Sequence, residues 1–143
     1  MSNFHFYYPV QIRYGDLDPQ WHVNNAHTVT FIEQARLSYI LNLGLFDGKS
    51  FFDLGVIVAD LHIAYLQPIY LTQPVRIGVR VAKIGNKSMT FVYQVEDAEN
   101  GDILATAETV MVAYNYHLKQ SIRVPDAWRE SILNYEGTEN VTV

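Results

Sequence analysis

Asn24-Asn25-Ala26-His27-Thr28-Val29-Thr30-Phe31-Ile32-Glu33-Gln34-Ala35-Arg36-Leu37-Ser38-Tyr39-Ile40-Leu41-Asn42-Leu43-Gly44 is the stretch on which the fold turns. Asparagine is favoured just ahead of a helix, because its side-chain oxygen accepts from an otherwise unpaired amide of the first turn. From Ala26 to Leu43 there is neither Gly nor Pro, ten of the eighteen residues are apolar, and Gly44 follows as a natural stop. The apolar residues fall on more than one stripe: Val29, Ile32, Tyr39 and Leu43 on one side, Phe31, Ala35 and Leu41 nearby. A surface helix needs only one stripe. The pattern predicts a helix over 26–43 that is covered on most sides.

What covers it is read from the flanks. From Phe4 to Tyr14 the even positions are Phe, Phe, Tyr, Val, Ile and Tyr, the alternation of a half-buried strand. A polar loop, Gly15 to His22, links that strand to the helix. After a connector from Phe46 to Leu54, Gly55 to Leu66 is nearly continuous apolar sequence. Val75, Ile77, Val79 and Val81 then alternate with more polar or smaller neighbours, as do Met89, Phe91, Tyr93 and Val95. Gly85-Asn86 and Asn100-Gly101 are hairpin signals, Ile103 to Tyr114 is a last long strand, and Pro125 to Tyr135 suits a short terminal helix. The expected class is α+β, an antiparallel sheet of five to six strands curling around one long helix. With 143 residues and no linker or repeat, the chain reads as one domain, 1–143, with a core over about 4–115 and the 125–135 helix as an extension.

Charge and composition exclude several classes of function. Ten Lys plus Arg against fifteen Asp plus Glu leave a net charge of −5, which disfavours nucleic acid or an anionic membrane as a general partner. Without cysteine there is no disulfide framework, no Cys-based zinc site and no thiol nucleophile. Apolar runs are interrupted at Asp60, His62 or Gln67 before they are long enough to span a bilayer, and the start lacks the features of a signal peptide. A cytoplasmic protein is expected. Gly48-Lys49-Ser50 lacks the leading glycine of a phosphate-binding loop and follows a helix rather than a strand. There is no Gly-x-Ser-x-Gly elbow, and none of His5, His22, His27, His62 and His117 is paired at a metal-binding helix spacing, so no metal is expected.

The loop at Asp16 and Asp18 carries the candidate chemistry. Carboxylates ahead of a helix serve commonly as caps or turn residues. They have a second use, because a helix N-terminus presents unpaired N–H groups able to hold a developing oxyanion. A carboxylate about one turn away can then attack a carbonyl carbon or activate a water. That pair suffices where the leaving group is good, as is a thiol with a pKa of about 8.5.

The run Asp16-Leu17-Asp18-Pro19-Gln20-Trp21-His22-Val23-Asn24-Asn25-Ala26, with Phe31, Glu33 and Arg36, resembles the signature of the hotdog-fold acyl-CoA thioesterases, in particular the 4-hydroxybenzoyl-CoA thioesterase-like group. The likeness continues through Tyr65-Leu66-Gln67-Pro68 and Ile84-Gly85-Asn86-Lys87-Ser88 to the last strand, covering about Tyr8 to Tyr114. It implies the hotdog fold, Asp18 as the catalytic carboxylate, and the backbone N–H at Asn25 as the group that polarises the thioester carbonyl. It also implies that two subunits join their sheets and build each site across the interface, as a dimer or a tetramer. The substrate is then an acyl-CoA, with coenzyme A part of the substrate and no cofactor.

Family members meet CoA phosphates with Lys or Arg, and no acidic residue lies between Asp60 and Glu96, where Arg76, Arg80, Lys83 and Lys87 all fall. These four, with Trp21, His22, Tyr65 and Ser88, are the expected substrate contacts. Two positions depart from the family: Trp21 stands where Gly is usual and Thr28 where Tyr is usual. Glu33 and Arg36 are three apart on the helix and are read as a structural pair. Two other readings stand beside hydrolysis: a module that binds an acyl thioester without cleaving it, and a dehydratase or hydratase using His22.

Overall fold

The computed structural model describes residues 3–143. Its strands are β1 (Phe6–Val10), β2 (Val56–Tyr65), β3 (Val75–Ile84), β4 (Ser88–Asp97), β5 (Ile103–Asn115) and the short β6 (Gln120–Ser121); its helices are α1 (Asn25–Asn42) and α2 (Asp126–Glu136). All strands pair antiparallel in one curled sheet, in the order β1-β3-β4-β5-β2, with β6 on the end of β5. This is the α+β architecture expected from the sequence.

The alternation along the strands decides which face meets the helix. Val75, Ile77, Val79 and Val81 of β3 and Met89, Phe91, Tyr93 and Val95 of β4 are buried, and they share one core with Phe31, Ile32, Ala35, Tyr39 and Ile40 of α1. Arg76 and Arg80 alternate with the buried β3 residues and lie on the outer face. The hairpin turns fall as read: Gly85 N–H donates to the Ser88 carbonyl (2.7 Å), and Gly101 takes a φ of 79° that suits glycine.

Three expectations are corrected in detail. The first strand is shorter than 4–14, because β3 offers partners only as far as Val75, opposite Val10; the chain then leaves the sheet edge and makes a 3-10 turn at Tyr14–Asp16. The terminal helix is shifted by one residue, with Pro125 as its cap. Helix α1 is covered over one broad face rather than on most sides, since Thr30, Glu33, Gln34 and Leu41 remain exposed. The pair read between Glu33 and Arg36 is present but long (3.9 Å). Arg36 is buried and donates to the Tyr93 hydroxyl (3.3 Å), which in turn meets Thr109 (2.8 Å), so its main anchor is the sheet.

The two sheet edges differ. Edge strand β1 has five residues, one of them Pro9, which has no N–H to offer a further strand. Edge strand β2 has ten residues and no proline, and Ile57, Val58, Leu61 and Tyr65 are exposed along it. Register opposite the buried residues Met111, Thr109, Ala107 and Ala105 places Val58, Leu61, Ile63 and Tyr65 on the inner face. The edge is therefore long, apolar and open. Among the described residues no helix is long and apolar enough to cross a membrane.

Candidate active site

The loop before α1 holds two carboxylates in opposite situations. The Asp16 side chain is buried and fully engaged. Its Oδ2 accepts from the Arg13 backbone N–H (2.8 Å), and its Oδ1 from Arg13 Nη2 (3.2 Å) and His27 Nδ1 (2.9 Å). A carboxylate only accepts, so the His27 proton sits on Nδ1. Burial alone would raise the Asp16 pKa, but the bonds from Arg13 and His27 outweigh it and hold the carboxyl below its usual range. The Asp16 carbonyl also accepts from Asn24 N–H (2.9 Å), tying the loop to the start of the helix.

Asp18 is half-buried and lightly held. Its Oδ1 accepts from the Gln20 backbone N–H (2.9 Å), while Oδ2 has no partner among the described residues. The backbone around it forms a tight hairpin: Trp21 N–H donates to the Asp18 carbonyl (3.0 Å), Asp18 N–H to the His22 carbonyl (3.1 Å), and Leu17 bridges Val23. A hairpin loop of this kind, a turn followed by one left-handed residue, normally has glycine in the last place. Here that residue is Trp21, with a φ of 65°. The left-handed backbone costs an L-residue about 1–2 kcal/mol. The indole is 67% exposed, so packing within this chain does little to offset the strain.

At the start of α1, Asn24 caps the helix: its Oδ1 accepts from Ala26 N–H (2.9 Å), and its carbonyl from the N–H groups of His27 (2.9 Å) and Thr28 (3.3 Å). That leaves Asn25 as the first-turn residue whose N–H has no acceptor among the described residues. Its carbonyl accepts from the Tyr65 hydroxyl (2.9 Å), which fixes the helix start against β2. Asn25 opens on a cleft of about 320 Å³, lined with His22, Val23, Thr28, Tyr65, Ile69 and Ala105 among others. Val23 N–H donates to the Ile69 carbonyl (2.8 Å), and Leu66 N–H to the Leu104 carbonyl (2.9 Å), so both walls are tied to the frame.

Of the residues expected from sequence, the cleft brings together Asn25, His22 and Tyr65. Asp18 stands beside it, joined through the His22 carbonyl, and Trp21 points into solvent. Arg76 and Arg80 are on the far face of the sheet, where Arg76 pairs with Glu96 (2.6 Å) and covers the Tyr7 ring (4.0 Å), and Arg80 lies 5.9 Å from the Phe4 ring. Lys83, Lys87 and Ser88 lie toward the opposite end of the sheet, five to eight strand positions beyond Ala105 of the cleft, roughly 17–26 Å along the strands. Leu104 and Ala105 line the cleft unanticipated. They arrive from the start of β5, and only the β2–β5 register brings them to Tyr65. Among the described residues no group of three or more His, Asp or Glu side chains is placed to hold a metal ion.

Comparison with known proteins gives consistent matches. The family model of the thioesterase-like superfamily matches residues 12–132. The crystal structure of a thioesterase from Thermus thermophilus, complexed with coenzyme A and Zn, superposes with a TM-score of 0.84 at 31% identity, covering 96% of this chain and 98% of that one. A 1,4-dihydroxy-2-naphthoyl-CoA thioesterase from Synechocystis shares the fold at 17% identity (TM-score 0.81, covering 90% and 96%). In sequence, the long-chain acyl-CoA thioesterase FadM of Escherichia coli is 23% identical over 123 residues, 86% of this chain and 93% of that protein.

Proposed function

Given that this chain belongs to the thioesterase-like superfamily and has its hotdog fold, we propose that it hydrolyses an acyl-CoA thioester to a carboxylic acid and coenzyme A with Asp18 as the catalytic carboxylate. The observation that carries the reading is the pairing of two groups in one short segment that have no partner among the described residues: the Asn25 N–H, without an acceptor, and Asp18 Oδ2, without a donor. One suits a developing oxyanion and the other an electrophilic carbon or a water.

The thioester carbonyl oxygen accepts from Asn25 N–H, where the helix N-terminus favours negative charge. Asp18 acts on the carbonyl carbon directly or by taking a proton from an attacking water. The tetrahedral oxyanion collapses, the C–S bond breaks, and CoA leaves as a thiolate that is protonated in solution. If Asp18 attacks directly, water then opens the mixed anhydride and returns the carboxylate. Neither route needs a cofactor. His22 and Tyr65 line the path, and the Tyr65 hydroxyl keeps the Asn25 peptide in position.

The open β2 edge supports a shared site. Two copies related by a two-fold axis normal to the sheet pair their β2 strands antiparallel, which keeps both inner faces on one side. The far end of one sheet, with Lys83, Lys87 and Ser88, then lies next to the Asn25 cleft of the other. In that arrangement the three residues are placed to meet the CoA phosphates of the neighbouring site, which a single chain does not allow. Arg76 and Arg80 are the further cations of the outer face.

Thiol release from a panel of acyl-CoAs, aliphatic and aromatic, tests the activity. Hydrolysis of at least one member is expected. Tight binding without thiol release would favour the binding module, and a change in C=C absorbance without thiol would favour a dehydratase or hydratase.

A further inference from the structure

The cleft at Asn25 contains a buried hydroxyl to which the reaction gives no part. Thr28 is 2% exposed and lines the cleft about one helical turn beyond Asn25. Its backbone is engaged, its N–H donating to the Asn24 carbonyl (3.3 Å). Its side-chain hydroxyl has no hydrogen-bond partner among the described residues. Thr109, the other buried threonine, meets the Tyr93 hydroxyl (2.8 Å), and Thr30 on the exposed side of α1 donates back to the Ala26 carbonyl (3.4 Å). Among the described residues no side-chain polar atom sealed from solvent lacks a partner. The Thr28 hydroxyl is therefore not sealed, and the space it opens on is the cleft.

Its surroundings give it nothing to bond. Val23, Ile69, Leu104 and Ala105 are buried around the cleft. Nearby polar groups are engaged elsewhere: the Tyr65 hydroxyl donates to the Asn25 carbonyl (2.9 Å), and Gln67 Nε2 faces the Ile103 carbonyl (3.5 Å). A plain alkyl chain entering here strips water from the hydroxyl and returns no bond, which is a net cost. An acyl group with an oxygen at the right depth returns one. A threonine hydroxyl both donates and accepts, so a ligand hydroxyl and a keto oxygen both suit it.

The depth follows from helix geometry. Three residues of α1 rise roughly 4.5 Å, and helical side chains lean toward the N-terminus. The hydroxyl thus stands within about two hydrogen-bond lengths of the Asn25 N–H. The carbonyl oxygen and a β-oxygen of one acyl group can lie side by side, one on Asn25 and the other on Thr28. We infer that Thr28 is a specificity-determining residue, whose hydroxyl selects acyl-CoAs carrying a hydroxyl or keto oxygen on the β-carbon. This rests on the thioesterase reading, with the thioester carbonyl at Asn25, and needs one chain only.

The test compares thiol release from β-hydroxyacyl- and β-ketoacyl-CoAs with that from plain acyl-CoAs of the same chain length. Thr28→Val keeps the shape and removes the hydroxyl. The ratio of kcat/KM for oxygenated over plain substrates is expected to fall about tenfold. Thr28→Ser keeps the hydroxyl and is expected to keep the preference. Absence of any preference in the wild-type protein overturns the proposal. So does an equal loss by Thr28→Val on both substrate classes, which would make the residue structural, or a loss of preference in Thr28→Ser as large as in Thr28→Val. Absence of thiol release from every ester by the wild-type protein is a different failure, that of the thioesterase reading. Calorimetric binding of the same matched pairs to wild type and Thr28→Val then decides the assignment. The oxygenated ligand binds more tightly only to the wild type if Thr28 selects it, and equal affinities for the pair contradict the proposal.

Discussion

Asp16 and Asp18 are two residues apart on one loop, yet they have been put to opposite uses. Asp16 is buried and saturated by donors from Arg13 and His27, so its charge is consumed in holding the loop to the helix. Asp18 is half-exposed, keeps one oxygen without a partner among the described residues, and is joined through its backbone to His22, which lines the cleft at Asn25. A carboxylate is available for chemistry only where the fold leaves it under-used; under the proposed function, Asp18 is that carboxylate and Asp16 holds its loop to the helix.

That contrast can be broken by substitution, and the largest effect belongs to Asp18. Asp18→Asn keeps the Oδ1 acceptor for Gln20, so the fold persists, while thioester turnover falls by about 10²–10⁴-fold in steady-state kinetics. A smaller loss in kcat with a raised KM would demote Asp18 to a binding residue. Asp16→Ala reverses the pattern. It removes a buried acceptor, and urea unfolding should show a loss of about 1–3 kcal/mol, with residual activity following the folded fraction.

Trp21→Gly relieves the left-handed strain at the cost of a more flexible unfolded chain, so stability rises by up to about 1 kcal/mol in the same measurement. A fall instead would mean that the indole makes a stabilising contact, for which the second copy of the chain is the available partner. The smallest effect is in pH. The Asp16 pKa is depressed on folding, so its contribution is complete above the unfolded value near ~4 and is lost as the pH drops through the lower folded value. The acid limb of wild-type stability should therefore be steeper than that of Asp16→Ala, and parallel limbs would contradict the buried network.

The same loop shows what a sequence can carry. Helix α1, an asparagine cap within Asn24-Asn25 and the Gly44 stop are local properties, set by side-chain oxygens and backbone conformations within a few residues, and they were legible, with the helix at Asn25–Asn42 one residue earlier than read. So was the inward face of β3 and β4, because alternation needs no partner to be seen. The candidate carboxylate and the helix N–H came from a motif, and among the described residues the geometry leaves Asp18 Oδ2 and the Asn25 N–H without partners. The strain at Trp21 was foreshadowed by the glycine usual at that place. Other parts depend on register between distant strands: Leu104 and Ala105 in the cleft wall, the early end of β1 at Val10, and the half-open helix. The separation of Lys83, Lys87 and Ser88 from Asn25 is of the same kind, since it follows from the direction of β3 and β4 relative to α1 rather than from any residue's identity.

The most direct test of the account is thiol release by the wild-type protein and Asp18→Asn, run together on the best acyl-CoA of the panel, with CoA binding and thermal unfolding measured on both. The account predicts that release is abolished or nearly so in the variant while binding and unfolding stay close to wild type. Equal release by the two proteins would contradict it, and would move the reaction away from the carboxylate beside the α1 N-terminus.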